Sequence, residues 1–397
     1  MPDGGASDRG LYGRALALSL GTAVSNGFGR FCYALILPSM QVHFSWTYAE
    51  AGWLNGVNAV GYLVGALIAP RVIARHGAQR SFSVALIVTA IAVIVMGLAV
   101  SYGQFLFLRG VGGASGAIAF IAGGVIAASL TGDIVKAGTA ITIYFTGIAL
   151  AMLVAGIALP SAFGAWGDGL WSLAWIAIGL LALAACVPAI VVARKVSPRH
   201  SMTPARAQPV IWRQFSPSLI GYFCFGCGYI GYMTFIIAFL RGNAASALEM
   251  TLVWTVLSLS AMTAPLWWRV PLARWGGMTV LGLATSFTGV GAALALYSDS
   301  LVVVCVSAAV FGASFLVTPA AVTAYAKRSL APGVWPSVVS GYTVVFALGQ
   351  IAGPVLTGWL ADLSGGLRPG LIASSIILMV GGVICFAQRS IVATPRQ

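Results

Sequence analysis

The chain has 397 residues, 59% of them apolar and only 7% charged, with a mean hydropathy of +0.97. A soluble domain carries roughly 25% charged residues, so a water-soluble fold of this composition could not hide its apolar surface. The net charge of +13 is scattered over short connections, without the basic domain or aromatic-rich polar platform of nucleic-acid recognition, which excludes nucleic acid as a partner and leaves topology as the reading of the basic residues.

A hydrocarbon core about 30 Å thick takes roughly 20 apolar helical residues per crossing. Apolar runs bounded by charge, Gly and Pro predict twelve spans, near residues 14–38, 47–69, 81–101, 104–130, 138–160 and 170–193, then 216–240, 247–268, 278–297, 301–326, 336–360 and 370–388. The first run exceeds the roughly 7 to 15 residues of a signal-peptide core and is kept as a span. The fold class expected is an all-α membrane protein with twelve transmembrane helices in two six-helix bundles. Residues 1–193 form the first bundle, 194–213 a basic, proline-containing cytoplasmic linker, and 214–397 the second.

Orientation follows from the distribution of Lys and Arg. With a cytoplasmic N-terminus, seventeen of the 21 basic residues fall on the cytoplasmic side and two, Arg241 and Arg368, on the other; Arg30 and Arg109 lie inside spans. This alternation also supports the span count, and it predicts a multi-pass inner-membrane protein with both termini in the cytoplasm. All six cysteines sit in apolar stretches, and the Cys224, Cys227 pair lacks the βαβ setting of a redox motif; small packing residues are the plainer reading.

The halves repeat at a constant shift of 199 residues. Gly27, Gly29 and Tyr33 fall on Gly226, Gly228 and Tyr232, Glu50 falls on Glu249, Arg75 and Gly77 fall on Arg274 and Gly276, and Gly113 to Ser115 fall on Gly312 to Ser314. Acidic residues are rare here, so the ungapped Glu match argues for duplication, and parallel repeats are a known transporter design.

Arg75-His76-Gly77 with its copy Arg274-Trp275-Gly276, Arg109 followed by Gly112, Gly113 and Gly116, and Gly349, Gly353, Pro354 and Gly358 resemble the motifs of the major facilitator superfamily over the full chain length. GFGRFCYALILP (27–38) and GCGYIGYMTFIIAFL (226–240) resemble its YbfB/YjiJ branch. The resemblance implies a secondary transporter that exposes a mid-membrane cavity alternately by rocking two bundles. It also implies a part for Arg109 in coupling, and gating by Arg75 and Arg274. The acidic residue of the loop motif is replaced by Ala74 and Ala273, which removes the usual charge relay.

Arg30 is the most informative residue, because a guanidinium inside a span must find water, a partner or a solute. Gly27 and Tyr33 lie on a similar face, and Glu50 is a candidate counter-ion. A gating pair and direct solute contact both remain open. For Arg109 the competing reading is a side chain snorkelling to the interface. Glu50 and Glu249 are the candidates for proton coupling, with solvated helix caps as the alternative; no acid occupies the middle of any span. Asn55, Asn58, Tyr144, Tyr229, Tyr232, Trp254, Tyr342 and Gln350 are the further candidates for lining a substrate cavity, with interhelical hydrogen bonding as their structural alternative. Asn55 and Asn58 are three apart and share a face.

Enzyme signals are absent: there is no phosphate-binding GK[ST] loop, and His43, His76 and His200 fall in expected loops without metal-ligand spacing. The sequence therefore predicts a monomeric, cofactor-free carrier, not an enzyme, with a small solute, the bilayer and protons as partners. A small organic anion or a neutral polar-aromatic compound fits the candidates best. A broad-specificity efflux pump and a non-transporting membrane sensor are the alternatives.

Overall fold

The computed structural model describes residues 8–196, 210–275, 277–330 and 334–388, and among these the fold is all helical. Most of the expected linker, residues 197–209, lies outside the described residues, as do Gly276 and His200. Eleven helices are long and apolar enough to cross a membrane, and the first expected span supplies a twelfth crossing in pieces. It begins as α1 (Asp8–Thr22), widens into a π-helical stretch (Ala23–Phe31) and resumes as α2 (Tyr33–Phe44).

The remaining crossings of the first half are α3 (Tyr48–His76), α4 (Ala78–Met96), α5 (Tyr102–Ala128), α6 (Ile134–Trp166) and α7 (Trp171–Lys195). The second half contains α8 (Ser216–Gly242), α9 (Ala247–Arg274), α10 (Gly277–Tyr297), α11 (Leu301–Phe315), α12 (Thr318–Ser329), α13 (Trp335–Ser364) and α14 (Leu367–Phe386). The expected span 301–326 is thus two helices. Pro319, in the first turn of α12, has no N–H to continue the ladder of α11, so the helix restarts there. His43 and His76 end helices instead of sitting in loops.

Two compact units emerge. The first comprises the described residues within Met1–Ser39 and Val57–Met202, the second those within Met40–Gly56 and Thr203–Gln397. Residues 40–56, which the sequence reading assigns to the first bundle, therefore group with the second unit. Backbone contact is the reason: a Cβ on Gly52 or Gly56 would run into the carbonyls of Pro354 or Ile351 of α13. Asp362 also caps the start of α3, its two carboxylate oxygens accepting the N–H groups of Tyr48 and Ala49 at 2.8 Å each.

Within the first unit, α4 packs on α5 and α7, α1 on α6, and the π-helical stretch on α5 and α6. Gly61, Gly65 and Gly113 let α3 and α5 approach until backbone meets backbone: each lacks room for a Cβ against the carbonyls of Gly110, Ala114 and Asn58. Within the second unit, α8 lies against α13 and α14, and α10 against α11 and α14. Gly349 and Gly353 of the glycine-proline motif meet the carbonyls of Phe223 and Cys227 in the same way.

The 199-residue repeat survives as repeated contacts. Thr89 and Ser115 share a hydroxyl bond of 2.8 Å, and their counterparts Thr288 and Ser314 share one of 3.1 Å. Gly113 faces the Asn58 carbonyl, and Gly312 faces that of Leu257, the counterpart of Asn58. The outer faces are apolar at helical spacing. In α4, Val84, Ile87, Val88 and Ile91 are exposed at i, i+3, i+4 and i+7, and in α14 Ile372, Ile376, Val380 and Val383 are exposed at i, i+4, i+8 and i+11. Such stripes are stable only against hydrocarbon.

Candidate functional site

The polar centre of the first unit is built on the π-helical stretch. Its wider turn is visible in the Cys32 N–H bonded to the Gly27 carbonyl five residues back, at 3.1 Å. Such stretches concentrate at functional positions. Arg30, near its end, is buried at 5% exposure, and its guanidinium lies 5.4 Å from the ring centroid of Tyr62. Nε and Nη2 of Arg30 have no hydrogen-bond partner among the described residues. Tyr62 follows Asn58 by one turn of α3. Asn58 donates from Nδ2 to the Arg109 carbonyl at 3.0 Å, while its Oδ1 is buried without a partner among the described residues.

Arg109 does not snorkel. It is 2% exposed, donates from Nη1 to the Gly29 carbonyl at 3.0 Å, and places its guanidinium 4.6 Å from the Tyr33 ring centroid. Two buried guanidiniums thus stand in one unit. Arg30 forms no ion pair among the described residues. Glu50 accepts the Thr47 N–H at 2.9 Å, while Thr47 Oγ1 accepts the Glu50 N–H at 3.1 Å. Glu249 does the same with Ser246, the counterpart of Thr47. The matched acids are a duplicated capping box, the geometry of the solvated-cap reading.

The second unit presents an aromatic stack. Phe225 and Tyr229 of α8 are 4.8 Å apart and nearly parallel, and Phe346 of α13 lies 5.8 Å from Tyr229 and 4.9 Å from Tyr222. Gln350 donates to the Tyr229 hydroxyl and leaves its Oε1 unpartnered; Trp254, fully buried, leaves Nε1 unpartnered among the described residues. Asn55 donates to Thr234 Oγ1 at 2.6 Å, so it and Asn58 serve different partners despite sharing a face.

Other candidates are placed elsewhere. The Tyr144 hydroxyl donates to the Phe120 carbonyl at 3.0 Å within the first unit. Tyr232 lies beside Phe311 and 3.4 Å from Ser307 Oγ, and Tyr342 bonds Ser218 near the start of α8. Arg75 and Arg274 are exposed at their helix ends. At the second loop motif, Arg328 caps α9 by donating to the Ala273 carbonyl at 2.8 Å. Tyr62, Thr234 and Phe346 were not singled out by sequence, although Tyr62 is four residues from Asn58 and Phe346 four from Gln350.

Among the described residues no group of three His, Cys, Asp or Glu side chains could hold a metal ion. Buried polar groups in a helical membrane protein mark a membrane-embedded polar site. The family described as "Uncharacterised MFS-type transporter YbfB" matches residues 22–386, and the chain belongs to this family of transporters. No curated protein matches it. A bacterial homolog of the human lysosomal transporter Spinster, inward-facing and unoccupied, superposes with a TM-score of 0.75 at 16% identity, covering 99% of this chain and 100% of that one. The inward-facing, occupied form gives 0.72 at 18% identity, with 96% and 98% covered. The nucleoside transporter NupG gives 0.69 at 16% identity, with 95% and 98% covered. These likenesses establish the fold as all-α and multi-pass.

Proposed function

We propose that this transporter moves a small organic anion across the inner membrane by alternating access, with both termini cytoplasmic and the monomer as the working unit. The observation that supports this reading is Arg30, a buried guanidinium with two N–H donors unpartnered among the described residues, in the same unit as a second buried guanidinium. An unpaired cation in hydrocarbon is costly, and an anionic solute relieves that cost each time it binds. The second reading, a neutral polar-aromatic solute, draws on the stack of Phe225, Tyr229 and Phe346 with the unpartnered Gln350 Oε1 and Trp254 Nε1.

Charge also decides the energetics. Carrying one negative charge inward against an inside-negative potential of 100 mV costs about 2.3 kcal/mol, so concentrative uptake demands a co-transported cation such as a proton, whereas export or anion exchange does not. Purified protein in liposomes tests the assignment with matched acid and amide pairs: the acids are transported and the amides are not. Transport of amides alone would refute the anion reading. In the same liposomes, the double variant Glu50→Gln, Glu249→Gln should keep any proton-driven rate, since both carboxylates cap helices at the surface. Loss of that rate would return them to a coupling role.

A further inference from the structure

The two unpartnered atoms of Arg30 are not an arbitrary pair. Nε–H and Nη2–H lie on the same edge of the planar guanidinium and point in parallel, the arrangement that grips two oxygens of one oxyanion side-on. An acceptor stands one turn from the ring that the guanidinium covers: Arg30 rests over Tyr62, and one turn back on α3 is Asn58, whose Oδ1 is buried without a partner among the described residues. The amide's orientation is fixed by its other end, because Nδ2 is held by the Arg109 carbonyl. Arg109 itself is committed to the Gly29 carbonyl and the Tyr33 ring. The site therefore offers two parallel donors from one cation and, nearby, one acceptor.

Building on the anion reading above, we infer that the solute carries a carboxylate held side-on by the Nε–Nη2 edge of Arg30 and, adjacent to it, a hydroxyl or amine that donates to Asn58 Oδ1. Two donors match the two oxygens of a carboxylate. A fully ionised phosphoryl or phosphonate group, as above about pH 8, would bring a third oxygen and turn only lone pairs toward the Asn58 oxygen, so the titrations are run in that range. The chemical class is that of 2-hydroxy and 2-amino acids.

Binding titrations on the purified full-length chain with four phenyl compounds of similar size separate the possibilities: mandelate, phenylacetate, mandelamide and benzylphosphonate. Mandelate should bind most tightly. Phenylacetate, which lacks the donor, should be weaker by roughly tenfold, and mandelamide and benzylphosphonate by roughly a hundredfold, the scale of neutral and charge-assisted hydrogen bonds. Asn58→Leu should bring mandelate and phenylacetate to equal affinity, with thermal unfolding of the variant beside the parent as the control for folding. Arg30→Lys keeps the charge but loses the edge, and should erase the preference for mandelate over benzylphosphonate.

Equal binding of mandelate and phenylacetate overturns the donor contact to Asn58. Tighter binding of benzylphosphonate overturns the carboxylate class while the anion reading stands. Mandelamide binding as well as mandelate defeats the anion reading itself, and absence of binding by both acids overturns the side-on grip.

Discussion

Replacing Arg30 by alanine abolishes anion transport, by at least a hundredfold at low solute concentration, while the variant inserts and folds as stably as the parent. The first half of this expectation follows from the loss of two charge-assisted donors, each hydrogen bond to a charged group being worth about 1.5–3 kcal/mol. The second half distinguishes this role from a structural one. A residue that holds the bundle together lowers the unfolding temperature when removed. Arg30 spends two buried donors on nothing within the described residues, so truncation relieves desolvation as it forfeits the stacking on Tyr62. Initial uptake rates in liposomes, read beside thermal unfolding in detergent, give both numbers. Uptake close to parental, or a variant that fails to fold, would remove Arg30 from the transport site.

The second large effect is expected at a residue that touches no solute. Gly113→Val places a side chain where Asn58 contributes its carbonyl and Tyr62 its N–H, the latter 2.9 Å from the position of the new Cβ. Overpacking of this kind costs about 1–3 kcal/mol, and here the strain falls on the turn of α3 that presents Asn58 and Tyr62 to Arg30. The variant should unfold at a lower temperature and bind the anion more weakly. Gly138→Ala is the matched control: nothing lies within 4 Å of a Cβ there, and alanine is the better helix former by about 1 kcal/mol. It should be neutral or slightly stabilising. Equal stability and binding in both variants would show that α3 and α5 have slack the backbone contacts deny.

Hydropathy alone makes the fold class legible, because burying this much apolar surface leaves bilayer-spanning helices as the available solution. The two broken spans were less visible for different reasons. Pro319 marks the division between α11 and α12, but an apolar run carries across it. The π-helical stretch has no breaker at all, only Asn26, Gly27 and Gly29, and its wider turn depends on neighbours that hydropathy does not encode. Arg30 stands out because charge is rare in spans, and its depth and the lack of an acidic partner among the described residues are what the structure adds. For Glu50 the capping alternative to coupling is legible as well. Its partner Thr47, three residues before it, carries the capping signature, and Ser246 repeats that signature before Glu249. The partnership of Arg30 with Tyr62 was hidden because contacts between helices leave no periodic trace.

The π-helical stretch also bears on how the two halves can be compared. A wider turn advances the azimuth by less per residue, so a side chain following several such turns no longer faces the direction its sequence counterpart faces in a regular helix. Tyr229 occupies the position of Arg30 in the repeat, yet α8 runs as uninterrupted α-helix through it. Equivalence along the chain is therefore not equivalence around the axis. Exchanging the two residues would not carry the cation to a symmetric place: recognition of the solute is tied to a local coiling that only one copy of the ancestral unit possesses.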